Sequence, residues 1–254
     1  MAALDLERLL QRDRWIAGLG LLLLAGLSWI YVIGLEDGGW PTLMAMPMRH
    51  GWSAADLCLT YLMWITMMVA MMTPAVAPMV LLIGTVERRR GQANPLARSM
   101  VALAGYLLVW AAACVPITLL QFALHETGLA IGAMSPVRAS LAGGTLLLVG
   151  IYELTPAKAA CLKVCRSPIE TLALYWRPQR VGSLLLGLRH GLYCLGCCWA
   201  LMLLLFVTGV MNLVWVALLS ALVLAEKLAP RGLLLSRLAG AAIIAWGVVL
   251  IAHS

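Results

Sequence analysis

The chain has 254 residues, of which 63% are hydrophobic and 11% charged, and its mean hydropathy is +0.96. This composition excludes a soluble globular enzyme, a disordered chain and a disulfide-stapled secreted module. The formal net charge of +7 does not indicate nucleic acid, because basic residues collect on the cytoplasmic side of membrane proteins. We therefore expect an integral membrane protein whose surroundings are the lipid bilayer, with no nucleic-acid partner.

Seven apolar runs approach the length of about 20 residues that a helix needs to cross the hydrocarbon core. No linker or internal repeat separates them, so we predict one transmembrane domain over residues 1–254. The fold class predicted is all-α, a polytopic transmembrane helical bundle of about seven spans. The runs are 15–35, 57–83, 99–123, 139–160, 182–209, 213–229 and 234–252.

The basic residues predict the orientation of the bundle. They lie before the first run, between the second and third, between the fourth and fifth, and between the sixth and seventh. The opposite connections hold little beyond Arg49 and Arg138. The positive-inside rule then places the N-terminus in the cytoplasm and the C-terminus outside. Because only EKLAPRG separates the last two runs, a re-entrant pair is the alternative to two spans.

The fifth run contains the sequence RHGLYCLGCCWALM, which carries a row of metal-ligating side chains. His190, Cys194, Cys198 and Met202 follow one another in steps of four and share one helix face, with Cys197 one residue round. Buried cysteines often serve as small hydrophobic residues, which is the alternative interpretation. A histidine at membrane depth is costly and indicates function. Gly187 and Gly191 form a GxxxG pattern that favours close helix packing.

The second run contains MWITMMVAMMTP, with five methionines within ten residues. Met67 and Met71 lie on one stripe of the helix, and Met68 and Met72 lie on the next. Methionine is also an ordinary gap-filling core residue, and packing is an equal alternative. The methionines and the cysteine row are each near the middle of their runs, so we expect them at the same depth. Thiolate, thioether and imidazole together suit Cu(I), with Zn(II) as the alternative if methionine takes no part.

The fourth run ends in a polar and sulfur-containing stretch. Glu153 is predicted inside the membrane, where Arg189 or His190 is the expected partner, either in an ion pair or in a proton or metal relay. Pro156 is expected to kink the helix. Cys161 and Cys165 are predicted at the cytoplasmic mouth, either as receivers of metal or as incidental boundary residues.

Further soft ligands precede the second run on the predicted outer side. Met44, Met46, Met48 and His50 lie in a short stretch, and methionine with histidine binds copper where cysteine would be oxidised. Together with the intramembrane ligands, these residues form a series of soft donors at successive depths of the membrane. Such a series favours transport or delivery of metal.

The stretches MWITMMVAMMTP, TPAKAACLKVCRSP and RHGLYCLGCCWALM resemble the bacterial family described as predicted metal-binding integral membrane proteins, a domain of unknown function. The resemblance covers residues 57–250. It implies a multi-pass protein of the bacterial cytoplasmic (inner) membrane and a soluble domain as a metal-delivering or metal-accepting partner. The matching motif residues are Met67, Met68, Met71, Met72, Pro74, Pro156, Lys158, Cys161, Cys165, Arg166, His190, Tyr193, Cys194, Cys197, Cys198 and Trp199.

We therefore predict a protein that binds copper as Cu(I) at mid-membrane, for transport or for delivery to a partner. One alternative is a membrane thiol-disulfide oxidoreductase that uses Cys194 and Cys197 as a CxxC pair. Another is a copper-dependent membrane oxygenase at the same ligands. The full set of predicted metal ligands is Met67, Met68, Met71, Met72, Glu153, Cys161, Cys165, His190, Cys194, Cys197, Cys198 and Met202.

Overall fold

A computed structural model describes residues 2–36, 52–92, 94–129, 137, 139–175, 180–210 and 212–253. These residues form helices and no β-strand, which confirms the predicted all-α class. The outer ligands Met44, Met46, Met48 and His50 lie outside the described residues. The helices are α1 (Ala2–Glu36), α2 (Ala54–Arg89), α3 (Pro95–Glu126), α4 (Ala139–Glu153), α5 (Pro156–Arg166), α6 (Pro168–Tyr175), α7 (Arg180–Thr208), α8 (Leu213–Leu228) and α9 (Gly232–Ala252).

Five of the described helices are long and apolar enough to cross a membrane, namely α1, α2, α3, α7 and α9. The bent pair formed by α4 and α5 raises the number to six if it counts as one span. Helix α8 has 16 residues and extends about 24 Å, which is shorter than the hydrocarbon core of about 30 Å. The protein is thus a multi-pass membrane protein, and two of the seven predicted runs do not become single helices of full membrane length.

The fourth predicted run breaks between Glu153 and Pro156, and the two halves differ in direction by 61°. Pro156 has no amide hydrogen to continue the helix, so it stands as the first residue of α5. The side chain of Thr155 caps the new helix by accepting a hydrogen bond from the Lys158 amide at 3.3 Å. The predicted kink at Pro156 is therefore confirmed as a complete break, which turns α5 toward α7.

Helices α2 and α7 form the centre of the bundle and are its most buried membrane helices. Helix α7 packs against α3, α4, α5 and α8, and α2 packs against α1, α3 and α8. Helix α9 packs mainly on α4, and α1 mainly on α2, so both lie at the periphery with most of their apolar surface exposed. Such surface is expected where helices face lipid.

Close packing of α3 on α7 depends on glycine. A Cβ atom added at Gly187 would overlap the carbonyl oxygen of Ala102, and one at Gly191 would lie 3.0 Å from the side chain of Val109. Gly105 faces the backbone of α7 at Leu184 in the same way. The close approach predicted from the GxxxG pattern is therefore present, and it brings α3 against the cysteine row.

We predict that Gly187→Ala lowers the free energy of unfolding by about 3 kcal/mol, because the new methyl group forces apart two backbones that touch. The measurement is the fraction of detergent-solubilised protein that stays monodisperse after heating.

The matched control is Gly144→Ala in α4, where a Cβ would meet no atom within 4 Å. This change should be neutral or stabilising by up to about 1 kcal/mol, since alanine favours the helix. Equal effects of the two substitutions would contradict the packing described for α3 and α7.

Candidate metal centre

The sulfur of Cys194 lies at the meeting point of three helices. Lys227 from α8 donates a hydrogen bond from Nζ to Cys194 Sγ at 2.7 Å. Tyr106 from α3 places its hydroxyl 2.9 Å from the same sulfur, and either atom is able to donate. All three side chains are buried. An ammonium group in such a place is the counter-ion that a buried thiolate requires.

Three more cysteines surround this sulfur. The side chain of Cys165 on α5 lies beside those of Cys194 and Cys197 and interacts with them electrostatically. The side chain of Cys198 lies beside the same two residues. The thiols of Cys197 and Cys198 also contact the carbonyl oxygen of Cys194 at 3.1 and 2.8 Å. We call Cys165, Cys194, Cys197 and Cys198 the sulfur cluster.

The side chains of the sulfur cluster are not arranged around a common point. Among the described residues, no group of three or more His, Cys, Asp or Glu side chains has the geometry to hold a metal ion. The thiols of Cys197 and Cys198 point instead at a backbone carbonyl. Binding of a metal would therefore require rotation of side chains from their present positions.

Cys161 and Cys165 do not form a separate site at the end of the bundle, contrary to the expectation from the sequence. The break before α5 lays this helix along α7, where Cys165 joins the sulfur cluster. Cys161 faces Gly196, at which an added Cβ would lie 2.9 Å from its sulfur. Tyr152 fixes this contact by donating a hydrogen bond to the carbonyl oxygen of Gly196.

His190 lies one turn before Cys194 on α7 and is 2% exposed. Its ring is 5.9 Å from that of Tyr106, measured between centroids. Within the described part of the chain, its Nδ1 atom is buried and has no hydrogen-bond partner. Such an atom is uncommon in a folded interior and marks the histidine as a candidate ligand.

The methionines of α2 lie in the same contiguous core as the sulfur cluster. Met67, Met68, Met71 and Met72 are all buried there. Tyr106 of α3 links the two groups, because its hydroxyl is 3.5 Å from the Met72 carbonyl oxygen and 2.9 Å from Cys194 Sγ. Met202 lies further along α7, where it is buried beside an apolar groove between α3 and α7.

Glu153 has other partners than those expected. It forms a salt bridge with Lys158, and it accepts a hydrogen bond from Ser236 Oγ at 3.0 Å. Lys158 also pairs with Glu226 at 2.9 Å. The expected pairing of Glu153 with Arg189 or His190 is wrong, because Arg189 is exposed and lies over the ring of Tyr175.

Two adjacent residues of α8 join this ion-pair network to the sulfur cluster. Glu226 contacts Lys158, and Lys227 contacts Cys194. Tyr106, Glu226, Lys227 and Ser236 are absent from the ligands and partners predicted from the sequence. The available signal was an adjacent acid and base directly after a long apolar run.

A family model described as PpoB2, copper chaperone, matches residues 61–250. The chain belongs to this family. The matched residues include all four members of the sulfur cluster together with Lys227. This match confirms the resemblance of the chain to a metal-binding family. The family description names copper and gives no support for zinc. No curated protein and no solved structure matches the chain.

We predict that Lys158→Ala lowers the free energy of unfolding by about 3 to 5 kcal/mol, because it leaves two buried carboxylates without their cation. The stability of the purified protein in detergent, followed by heat or denaturant, checks this result.

Lys163→Ala on the same helix is the control, because Lys163 is exposed and the change should stay within about 0.5 kcal/mol. If Lys158→Ala were as harmless as Lys163→Ala, the ion-pair network would have no structural importance.

Proposed function

We propose that the protein binds Cu(I) at the sulfur cluster inside the membrane and passes it to a partner. The observation that carries the proposal is the position of Cys194, whose sulfur contacts a lysine ammonium and lies among three further cysteines. Thiolate is the form of cysteine that binds metal, and the ammonium of Lys227 stabilises it. The copper-chaperone description of the family agrees with a metal cargo at this place.

The chemistry of the donors favours Cu(I) over harder ions. Soft thiolate and thioether ligands select Cu(I), and cations that prefer oxygen gain nothing from them. The four cysteines are at most 6% exposed, which excludes water from the ion. His190 one turn away supplies a further donor with its unpartnered nitrogen.

Binding would replace the hydrogens of the thiols. In the present arrangement the thiols of Cys197 and Cys198 contact the carbonyl of Cys194. Rotation of these side chains about χ1 would direct both sulfurs away from the carbonyl and toward a shared ion. The three residues lie on adjacent turns of one helix, so their sulfurs start close to one another.

The buried charges also favour a cation. The ammonium groups of Lys158 and Lys227 lie among Glu153, Glu226 and the proposed Cys194 thiolate. The set carries one negative charge in excess, and each further thiol that loses its proton on binding the ion adds another. Because uncompensated charge is costly in an apolar interior, this excess favours binding of a cation.

Transfer to a partner requires further ligands of moderate affinity along a path. His190 and Met202 extend the cysteine row of α7 in both directions, and Met67, Met68, Met71 and Met72 line the neighbouring part of the core. We propose that these groups carry the ion toward the aqueous faces. A soluble domain at the bacterial inner membrane is the proposed giver or receiver, with the N-terminus of the chain in the cytoplasm.

Two other activities rank behind copper handling. A thiol-disulfide oxidoreductase needs access to another dithiol, whereas Cys194 and Cys197 are buried, and all seven cysteines are free thiols. A copper-dependent oxygenase would expose the same thiols to oxygen, which readily oxidises them.

We predict that Cys194→Ser abolishes stoichiometric Cu(I) binding, because it removes the sulfur that Lys227 and the other cysteines surround. The measurement is Cu(I) retained by anaerobically purified protein in competition with a colorimetric chelator.

Cys114→Ser is the matched control, since Cys114 is also fully buried but stands alone on α3. It should bind copper as the unaltered protein does. The proposal fails if Cys194→Ser retains full copper binding, or if both variants lose it equally while remaining folded.

A further inference from the structure

A cavity lies where the end of α5 meets the turn between α8 and α9. It has a volume of about 570 Å³ and is lined by Lys163, Arg166, Ser167, Pro230 and Leu233, among others. The cavity is separate from the sulfur cluster, because no cysteine lines it. Its lining is basic at one side and apolar at the other.

The basic side is held in place by backbone contacts. Arg166 donates hydrogen bonds from Nη2 to the carbonyl oxygens of Ala229 and Pro230, the latter at 3.1 Å. These bonds occupy one of the two terminal nitrogens of the guanidinium group, which has five N–H donors in total. Gly232 makes room for the group, because a Cβ there would overlap Arg166 Nη1.

The positive charges at the cavity lack acidic partners. Lys163 is exposed beside Arg166, and Arg231 is exposed on the adjoining turn. In the ranges that the structure describes, no salt bridge joins any of these three residues to a carboxylate. The cavity therefore presents uncompensated positive charge together with hydrogen-bond donors, which suits a phosphate group.

The apolar side continues onto the outer surface of the bundle. Leu233 lines the cavity and is 37% exposed, and the neighbouring Leu228 and Leu234 are 58% and 50% exposed. These leucines form a surface on which an acyl chain can lie beside the basic rim. A free phosphate ion would make no use of this surface, whereas a phospholipid would use both sides.

We propose that this cavity binds an anionic phospholipid, whose headgroup phosphate contacts Lys163 and Arg166 and whose acyl chain follows Leu233. Basic pockets at the cytoplasmic boundary of membrane helices are suited to such headgroups. Cys165 and Lys158 lie on the same helix α5, so the lipid would hold the helix that completes the sulfur cluster. The proposal does not rest on copper binding, since neither Lys163 nor Arg166 belongs to that cluster.

The test is native mass spectrometry of the full-length protein in detergent, titrated separately with phosphatidylglycerol and phosphatidylcholine. We expect the protein to retain phosphatidylglycerol in preference. Lys163→Ala should weaken retention about fivefold, the effect of losing one basic contact near a lipid surface. Lys163→Glu should weaken it further, and Lys163→Arg should restore it.

Arg237→Ala is the control, because Arg237 is an exposed base on α9 that does not line the cavity. It should leave lipid retention unchanged. Equal retention of the two lipids would overturn the proposal, and so would equal losses in Lys163→Ala and Arg237→Ala. Inorganic phosphate that binds as tightly as short-chain phosphatidylglycerol would also overturn it, because the apolar side would then contribute nothing.

Discussion

The contact between Lys227 and Cys194 is the interaction on which the candidate site depends. An isolated ammonium or thiolate inside a membrane protein is costly, so each group requires the other or an equivalent partner. Lys227 has this partner in α7, and its neighbour Glu226 has one in Lys158 of α5. A single turn of α8 thereby fixes the position of two other helices. Removing either charge would leave its partner buried without compensation.

The break between α4 and α5 makes this arrangement possible. A continuous helix through Pro156 would have carried Lys158 and Cys165 onward along the axis of α4, in a direction 61° from that of α5. The capped restart at Thr155 turns the chain by 61°, so that Lys158 reaches Glu226 and Cys165 reaches Cys194. The same helix places Lys163 and Arg166 at the cavity beside the turn between α8 and α9. One local backbone feature thus positions both proposed binding sites.

Periodicity predicted the local features of this protein and missed those that depend on tertiary contacts. The row of Cys194 and Cys198, the close approach at Gly187 and the kink at Pro156 follow from residue spacing or from proline geometry along one helix. The roles of Tyr106 and Lys227 depend on which helices are neighbours. The spacing of residues along one helix does not show which other helices pack against it. The positive-inside rule gives Lys227 no partner, because the rule considers only the position of a basic residue along the chain. The sequence predicts Glu153 inside the membrane, but its cationic partner is Lys158, five residues later on α5.

The central claim is that the cysteines around Cys194 hold Cu(I). Copper K-edge X-ray absorption of the anaerobically loaded protein tests it most directly, because the spectrum reports both the oxidation state and the atoms bound to the metal. The account predicts monovalent copper in a shell dominated by sulfur, with no more than a single nitrogen from His190. A shell of nitrogen and oxygen atoms, unchanged when Cys194 is replaced by serine, would contradict it.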